Sequence, residues 1–567
     1  LGTIRLDRNR HAFALEEGEE VLLPGSPSKF HCSNRRGGDS AAHFAGGSGA
    51  DSTTEASCEA GLANAWASYA IALGAGERKT LCVTVPLERA APPAGTLDDA
   101  VNAWREALEG GTRIETPEPA VNALLRSSVS TLLLLADGDA ITPGPWTYHQ
   151  FWFRDAAVML RALDAFGYHR IVRDILHSYP ARQEPSGYFR SQQGEWDSNG
   201  QALWTVWQHA CLAHDDTIPP ELEAALRKGA GWISRKRQEE EGGLLPRGLS
   251  AEHLGLADRY FWDDWWSVAG LEGYARLCLR RGDETGTRRS REEAAAMRQA
   301  IEEAVDAVMR QRGLTEIPAG PARGVDSGMI GSCAPWYPLQ ILPPGDLRMR
   351  KTLQALMSRY GLRGMFFQGF IHSGMNAYLT LQVAQAWLYA GERERFWELF
   401  STVARCASPT LNYPEAIHPL TGGGAMGDGH HGWAAAEVAC ALRSAFVNET
   451  WPAERPSIVL LGGIPRAWFV AGNRFAIRSA PVPGGIISLT VECGGSETGI
   501  TVEYDEKDRW GATEWRLMIP GGVSRLTVNE RAAAAIAVEN DETTITLVPA
   551  EGTTRVAIEH EPVIATP

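Results

Sequence analysis

Residues 146–170 read WTYHQFWFRDAAVMLRALDAFGYHR, and residues 187–209 read GYFRSQQGEWDSNGQALWTVWQH. The first segment places Trp146, Tyr148, Phe151, Trp152 and Phe153 within eight residues, then Arg154 and Asp155 where an amphipathic helical pattern begins. Sugar C–H faces stack on aromatic rings, while sugar hydroxyls need directional charged partners, so a rigid aromatic wall beside a guanidinium fork and a carboxylate suits a polyhydroxylated ligand. An apolar first turn that simply buries itself in a helical core is the other reading of the same residues.

Outward from this stretch, the apolar period is helical from about residue 98 to 448. The pattern predicts helices over 98–109, 118–136, 154–178, 199–214, 220–239, 264–281, 287–312, 345–359, 374–390, 393–407 and 431–447. Aromatics, prolines and carboxylates collect in the loops between them. Paired helices that ring a toroid and present one rim of loops as the working face behave in this way.

On the N-terminal side the period is two. Tyr69, Ile71 and Leu73 alternate with small residues, Gly74–Glu77 reads as a turn, and Leu81, Val83, Val85 and Leu87 alternate again, which predicts a hairpin. The glycine-rich segment 37–49 lacks the Lys-Ser/Thr of a phosphate-binding loop and reads as a plain loop. The region as a whole reads as the later part of a larger β-sandwich. Residues 91–97 (APPAGTL) form a linker into the helices, and 449–456 (ETWPAERP) form one out of them. Eight short β-branched strands follow, at 458–461, 475–478, 486–491, 500–504, 515–519, 526–528, 544–548 and 555–558, with the spacing of a sandwich. The expected fold is therefore a multidomain chain. An N-terminal β region (1–95) and a C-terminal β-sandwich (451–567) flank a central all-α (α/α)6 toroid (96–450).

A chain of 567 residues exceeds one hydrophobic core. Its net charge of −15, from 69 acidic and 54 basic residues without a long like-charge block, argues against a nucleic-acid surface and for a neutral or cationic partner. The nine cysteines are scattered and never spaced CxxC, which fits small core residues in a reducing, cytoplasmic compartment and gives no disulfide framework or zinc site. No apolar run approaches the ~20 residues that cross a bilayer, and no signal-peptide pattern opens the sequence.

Two loops could carry acid–base chemistry. In DRYFWDDWWS (258–267), Asp263 and Asp264 lie between Trp262 and Trp265-Trp266 at a helix start. Mutual repulsion and apolar rings both raise a carboxyl pKa toward that of a useful general acid. N-capping of the following helix is the competing role for either residue. In NYPEAIHP (412–419), Glu415 sits in a Tyr-Pro loop next to the glycine-rich segment 422–432, His430, His431 and Trp433, and could equally be a solvated loop charge. Arg323 with Asp326, and His372 with Asn376, are further rim positions divided between sugar contact and loop scaffolding. Adjacent His430 and His431 lack a third ligand at helical spacing, so no metal and no other cofactor is expected.

The YHQFWFRDAAVMLRALDAFGY segment resembles the YHYVWPRDAA…ALDALGY segment of the glucoamylase-like glycoside hydrolases of family 15, and GEWDSNGQALWTVWQH resembles their QLDETGLVLWALWRH. The resemblance covers about 112–450 and implies roles. RYFWDDWWSV falls where that family has LWEE, whose first carboxylate is the general acid, so Asp263 takes that role. YPEAIHPLTGGGAMGD falls where the family has the segment bearing its general base, so Glu415 takes that role. Arg154 and Asp155 would bind hydroxyls of the terminal sugar, with Trp152 and Trp196 as stacking walls and Asp197 as a support. Apart from the resemblance, Asp264, Arg323, His372 and His431 are further candidates for sugar contact. Aspartate stands here where the family has the glutamate acid, as in trehalase-type enzymes, and shortens its reach by one methylene.

The expected function is that of an inverting, exo-acting glycoside hydrolase releasing a terminal sugar from α-linked gluco-oligosaccharides or disaccharides. A polysaccharide lyase on a similar toroid would need a basic groove for uronates, which the acidic balance disfavours. A catalytically inactive sugar-binding toroid is the third possibility. The expected partner is an oligosaccharide or disaccharide, with neither nucleic acid nor membrane.

Overall fold

The computed structural model describes residues 1–38, 40, 44, 53–85, 96–250, 257–370, 373–451, 455–495, 497–512, 514–521, 523–532, 537–539 and 542–560. His372 and most of the glycine-rich segment 37–49 lie outside the described residues. The chain divides into two compact units, Leu1–Arg105 and Glu106–Pro567.

In the first unit, strands Thr3–Asp7, Ala12–Leu15, Glu20–Leu22 and Glu55–Ser57 form one antiparallel sheet, and Lys29–Ser33 pairs with Asn64–Ser68. Ile4, Leu6, Phe13, Phe30 and Cys32 fill its small core. The hairpin expected over 69–87 is not formed across its described residues. The Gly74–Glu77 turn closes, with Glu77 N–H donating to the Gly74 carbonyl, but no ladder flanks it apart from a single bridge from Thr84 to Leu22. Ile71, Leu73, Leu81, Val83 and Val85 remain exposed, so the alternation has no covered face to turn it into a strand.

Helix α1 (Leu97–Glu109) crosses the unit boundary and buries none of its residues. The second unit holds α2 (Pro119–Leu135), α3 (Phe153–Ala165), α4 (His169–Leu176), α5 (Ser198–Leu212), α6 (Pro220–Lys236), α7 (Phe261–Arg280), α8 (Glu284–Arg312), α9 (Leu347–Tyr360), α10 (Ala377–Tyr389), α11 (Arg393–Arg405) and α12 (Gly432–Phe446). The expected 154–178 helix breaks into α3 and α4 because Gly167 adopts a positive φ of 85°.

Burial separates these helices into two kinds. In α7, α10 and α12 nearly every residue is buried, so they are surrounded by protein. In α8 the buried residues are Thr287, Ser290, Ala294, Met297, Ile301, Val305 and Val308, a single stripe at three- and four-residue spacing, so that helix covers an inner one and faces water elsewhere. The inner members pack in a closed succession: α3 on α5, α5 on α7, α7 and α10 on the 3-10 helix Ser327–Cys333, α10 on α12, and α12 back on α3. Each has an outer partner, α4, α6, α8, α9, α11 and α2 in that order round the ring. Glycines let α5 and α7 approach closely: a Cβ on Gly200 would lie 2.3 Å from the Trp266 backbone and one on Gly270 would lie 2.5 Å from the Gly200 carbonyl oxygen.

The C-terminal strands appear where the alternation places them. A seven-stranded sheet runs through Val523–Val528, Gly552–His560, Glu497–Glu506, Gly485–Cys493 and Arg474–Val482, and takes Arg113–Glu115, just before α2, as its edge. A five-stranded sheet includes Val447–Thr450, Ser457–Leu460, Trp515–Pro520 and Glu542–Leu547. Both sheets share one continuous core with the helices.

A small antiparallel sheet unforeseen in the sequence lies within the helical part: Gly361–Leu362, Met365–Gln368, Gly374–Met375, Ala416–Ile417 and Gly424–Met426. Ala416 pairs with Met426, and Met375 with Ile417, which fixes the position of the residue just before this strand, Glu415.

Candidate active site

The sequence candidates gather at the N-terminal ends of the inner helices. Trp152 precedes α3, Asp197 precedes α5, Tyr260 precedes α7 and His431 precedes α12. Asp197 ties three of these ends together. Its Oδ2 accepts from Arg154 Nε at 2.8 Å, Gln201 Nε2 at 2.9 Å and Trp262 Nε1 at 2.9 Å. Arg154, itself buried, also pairs with Glu195 at 3.1 Å.

Asp263 follows Trp262 directly and is 2% exposed, and its Oδ1 is buried without a hydrogen-bond partner among the described residues. Burial pushes its pKa well above the usual carboxylate value, and the negative charges of Asp197 and Asp264 push it further; Arg154 opposes them. Burial likewise raises Glu195 against the pull of Arg154. An upward shift of this kind moves a carboxyl group toward the range a general acid requires.

Asp264 faces differently. Its Oδ1 accepts from the Leu245 N–H at 2.8 Å, and burial lifts its pKa to about 7 against that hydrogen bond. No side chain caps α7 at its cap position, which Tyr260 occupies. A buried acid whose folded pKa exceeds its unfolded value leaves the native state binding more protons than the unfolded one between those two values, so its contribution to stability declines as pH rises through that interval. Asp264→Asn is expected to flatten the fall in thermal midpoint between about pH 4 and pH 7, measured by calorimetry beside the parent chain.

Glu415 is 5% exposed and accepts a hydrogen bond from the Tyr148 hydroxyl at 2.5 Å. Burial and this bond to a carboxylate both push the Tyr148 phenol upward, so it stays a donor. Tyr148 stands edge-on to Trp152, with ring centroids 5.7 Å apart, and edge-on to His431 at 6.3 Å. His431 also packs against Tyr378. Contacts therefore run from Glu415 through Tyr148 and Trp152 into α3, and from Arg154 through Asp197 and Trp262 to Asp263. Asp155 is in the same first turn of α3, and its charge acts on Tyr148. Trp146, although first in the aromatic run, is 87% exposed.

The remaining candidates sit further out. Trp196 donates from Nε1 to the Arg247 carbonyl and has Lys236 Nζ 4.1 Å from its ring centroid. Arg323 pairs with Asp326 at 3.1 Å and lies 5.9 Å from the ring centroids of both Tyr260 and Phe370, beside the start of α7. Asn376 caps α10 through a bond from the Leu379 N–H, which explains it as scaffolding. Among the described residues, one group has metal-ligand chemistry within reach, Asp164, His169 and His209. There each imidazole Nδ1 lies at hydrogen-bond distance from the Asp164 carboxylate, 2.9 and 3.0 Å.

Sequence reasoning did not find Asp428. Its carboxylate accepts from three consecutive backbone N–H groups, those of Trp146 (3.0 Å), Thr147 (2.9 Å) and Tyr148 (3.1 Å). Burial raises its pKa, but these donors outweigh burial and hold it below the usual range. The carboxylate latches the aromatic loop onto the loop that carries Glu415. Close approach demands glycine beside it, because a Cβ on Gly427, whose φ is +72°, would lie 2.7 Å from Glu415 Cβ. Bonds to a charged acceptor are worth about 1.5–3 kcal/mol each. Asp428→Ala is expected to lower kcat on the best substrate by more than about tenfold while leaving the far-ultraviolet spectrum unchanged, and Asp428→Asn, which keeps one oxygen, should fall between. Equal activity of Asp428→Ala and the parent would show that the latch has no catalytic consequence.

The second unit is thus a ring of six helical pairs with acidic and aromatic side chains at the inner-helix starts. Among solved structures, the α-L-rhamnosidase from Dictyoglumus thermophilum is similar over 98% of this chain and 63% of its own, with a TM-score of 0.59 and 10% identity. The Streptomyces avermitilis α-L-rhamnosidase complexed with L-rhamnose is similar over 79% of this chain and 42% of its own (TM-score 0.55, 15% identity). A bacterial glucoamylase complexed with acarbose is similar over 78% and 74% respectively (TM-score 0.53, 11% identity). At these identities the likeness establishes the fold. No known family profile and no curated protein matches the sequence, and no helix among the described residues is long and apolar enough to cross a membrane.

Proposed function

We propose that residues 96–450 form an (α/α)6 toroid, flanked by the β regions 1–95 and 451–567, that hydrolyses the terminal glycosidic bond of a neutral oligosaccharide or disaccharide with inversion. The observation that carries this reading is the contrast between two buried carboxyl groups at one end of the helix ring. Asp263 is enclosed by tryptophan and by other carboxylates, which push its pKa well above the usual carboxylate value, so it is the group to supply the proton to the leaving oxygen. Glu415 accepts a hydrogen bond from Tyr148 and serves as the base that activates water. Arg154 and Asp155 take hydroxyls of the terminal sugar, Trp152 and Trp196 supply stacking faces, and Asp197 holds Arg154 and Trp262 in place. Asp264, bonded to backbone, supports the α7 start more than it contacts sugar. Arg323 stands beside the start of α7, and His431 packs against Tyr148 and Tyr378.

An α-linked gluco-configured substrate follows from the glucoamylase-like motifs. The fold similarity to rhamnosidases makes α-L-rhamnosides the second class to assay. Incubating the full chain with a panel of α- and β-linked disaccharides and aryl glycosides, rhamnosides included, tests the proposal. Release of a monosaccharide from the non-reducing end supports it, and absence of release from the whole panel overturns it. An unsaturated uronate product from acidic polysaccharides would favour the lyase instead.

A further inference from the structure

At the opposite end of the inner helices lies a cavity of about 440 Å³, within the ~300–1,000 Å³ range of small-molecule sites. On α3 its wall begins at Arg161, seven residues and roughly 10 Å along the axis from Arg154, so it is separate from the carboxylates described above. Five arginines line it against two glutamates, in a chain whose overall charge is −15.

The five arginines are not equivalent. Arg443 is spent on Glu449 and on the carbonyl oxygens of Val447 and Pro481. Arg298 pairs with Glu302 at 2.9 Å. Arg161, by contrast, spends one of its five N–H donors among the described residues, from Nη1 to the Tyr337 hydroxyl at 3.2 Å. The Arg276 guanidinium makes no hydrogen bond among the described residues. It lies 5.9 Å from the centroid of the Trp207 ring and 5.3 Å from that of Trp451, with Glu272 at 3.7 Å. Neither arginine is used to cap the carbonyls that end α5; Arg280, outside the cavity, donates to the Ala210 carbonyl there.

Two guanidinium groups from different helices, with donors left over and indole walls beside them, match a ligand that combines several anionic oxygens with a small apolar face. We propose that this cavity binds a phosphate group, carried by a monosaccharide-sized ester or free, through Arg161 and Arg276. Three oxygens on one phosphorus offer acceptors to two forks, which a single carboxylate does less well.

Calorimetric titration of the full chain with glucose 6-phosphate, inorganic phosphate and glucose tests the site, using Arg276→Gln as the variant. Its side chain is 22% exposed and takes no part in the candidate active site, so folding and glycosidase turnover should persist, which a thermal melt and the disaccharide assay verify. Expected is one-to-one binding of at least one phosphate probe, weakened about tenfold or more in the variant. Tighter binding of the ester than of free phosphate identifies the ester as the occupant, and equal binding identifies the free anion. Binding of neither probe, binding of glucose as tight as that of its phosphate, or unchanged affinity in Arg276→Gln would overturn the proposal.

Discussion

Asp263→Asn is expected to lower kcat by about 10²–10⁴-fold, the range a positioned proton-transfer group supplies. The replacement is nearly isosteric and removes only the transferable proton. Folding should survive it, because Asp263 Oδ1 has no hydrogen-bond partner among the described residues to lose and Tyr260, not an aspartate, occupies the cap position of α7. Relief of a buried carboxyl among Asp197, Asp264 and Glu195 should if anything raise the thermal midpoint. A loss of turnover with an unchanged or higher melting temperature therefore separates the acid from a structural residue. Full activity in Asp263→Asn would remove Asp263 from the mechanism and pass the role to Glu195, a buried acid raised by burial and paired to Arg154.

Glu415→Gln should cost a similar ~10²–10⁴ in kcat, because an amide cannot take a proton from water. The Tyr148 hydroxyl can still donate to the amide oxygen, so the loop should keep its place. The two mutants differ in rescue. A substrate with a good leaving group needs little help from an acid, so an aryl glycoside should restore much of the Asp263→Asn rate and little of the Glu415→Gln rate. Stopped assays on a disaccharide and on a nitrophenyl glycoside measure that difference.

The helices were legible wherever a covered stripe or an all-apolar run persists over ten residues or more. The expected 220–239, 287–312 and 393–407 helices agree within three residues at each end with α6, α8 and α11. The 3-10 segment Ser327–Cys333 was not legible: SGMIGSC is too short and too rich in glycine to show a period, and only its neighbours α7, α9 and α10 make it a member of the ring. The rim sheet escaped for a related reason, since strands of two to four residues such as Ala416–Ile417 carry no alternation. In the first unit the opposite happened, with alternation at 69–87 and no covered face.

Within the proposed site, aromatic neighbours singled out Arg154, Asp263 and Glu415 as candidates, and the family resemblance assigned their roles. Asp428 gave no such signal. Its partners are the backbone N–H groups of residues 146–148, some 280 positions away, and backbone donors leave no trace in residue types. Asp197 could be read as a support, but its role as the common acceptor for α3, α5 and α7 depends on a convergence that only the folded ring creates.

Direct displacement by water activated at Glu415, aided by the Asp263 proton, inverts the anomeric carbon. Proton NMR of the sugar freed from the best α-linked substrate, recorded before mutarotation, reads that stereochemistry. The β-anomer should appear first and then equilibrate; first appearance of the α-anomer would show retention through a covalent intermediate and rule out direct displacement.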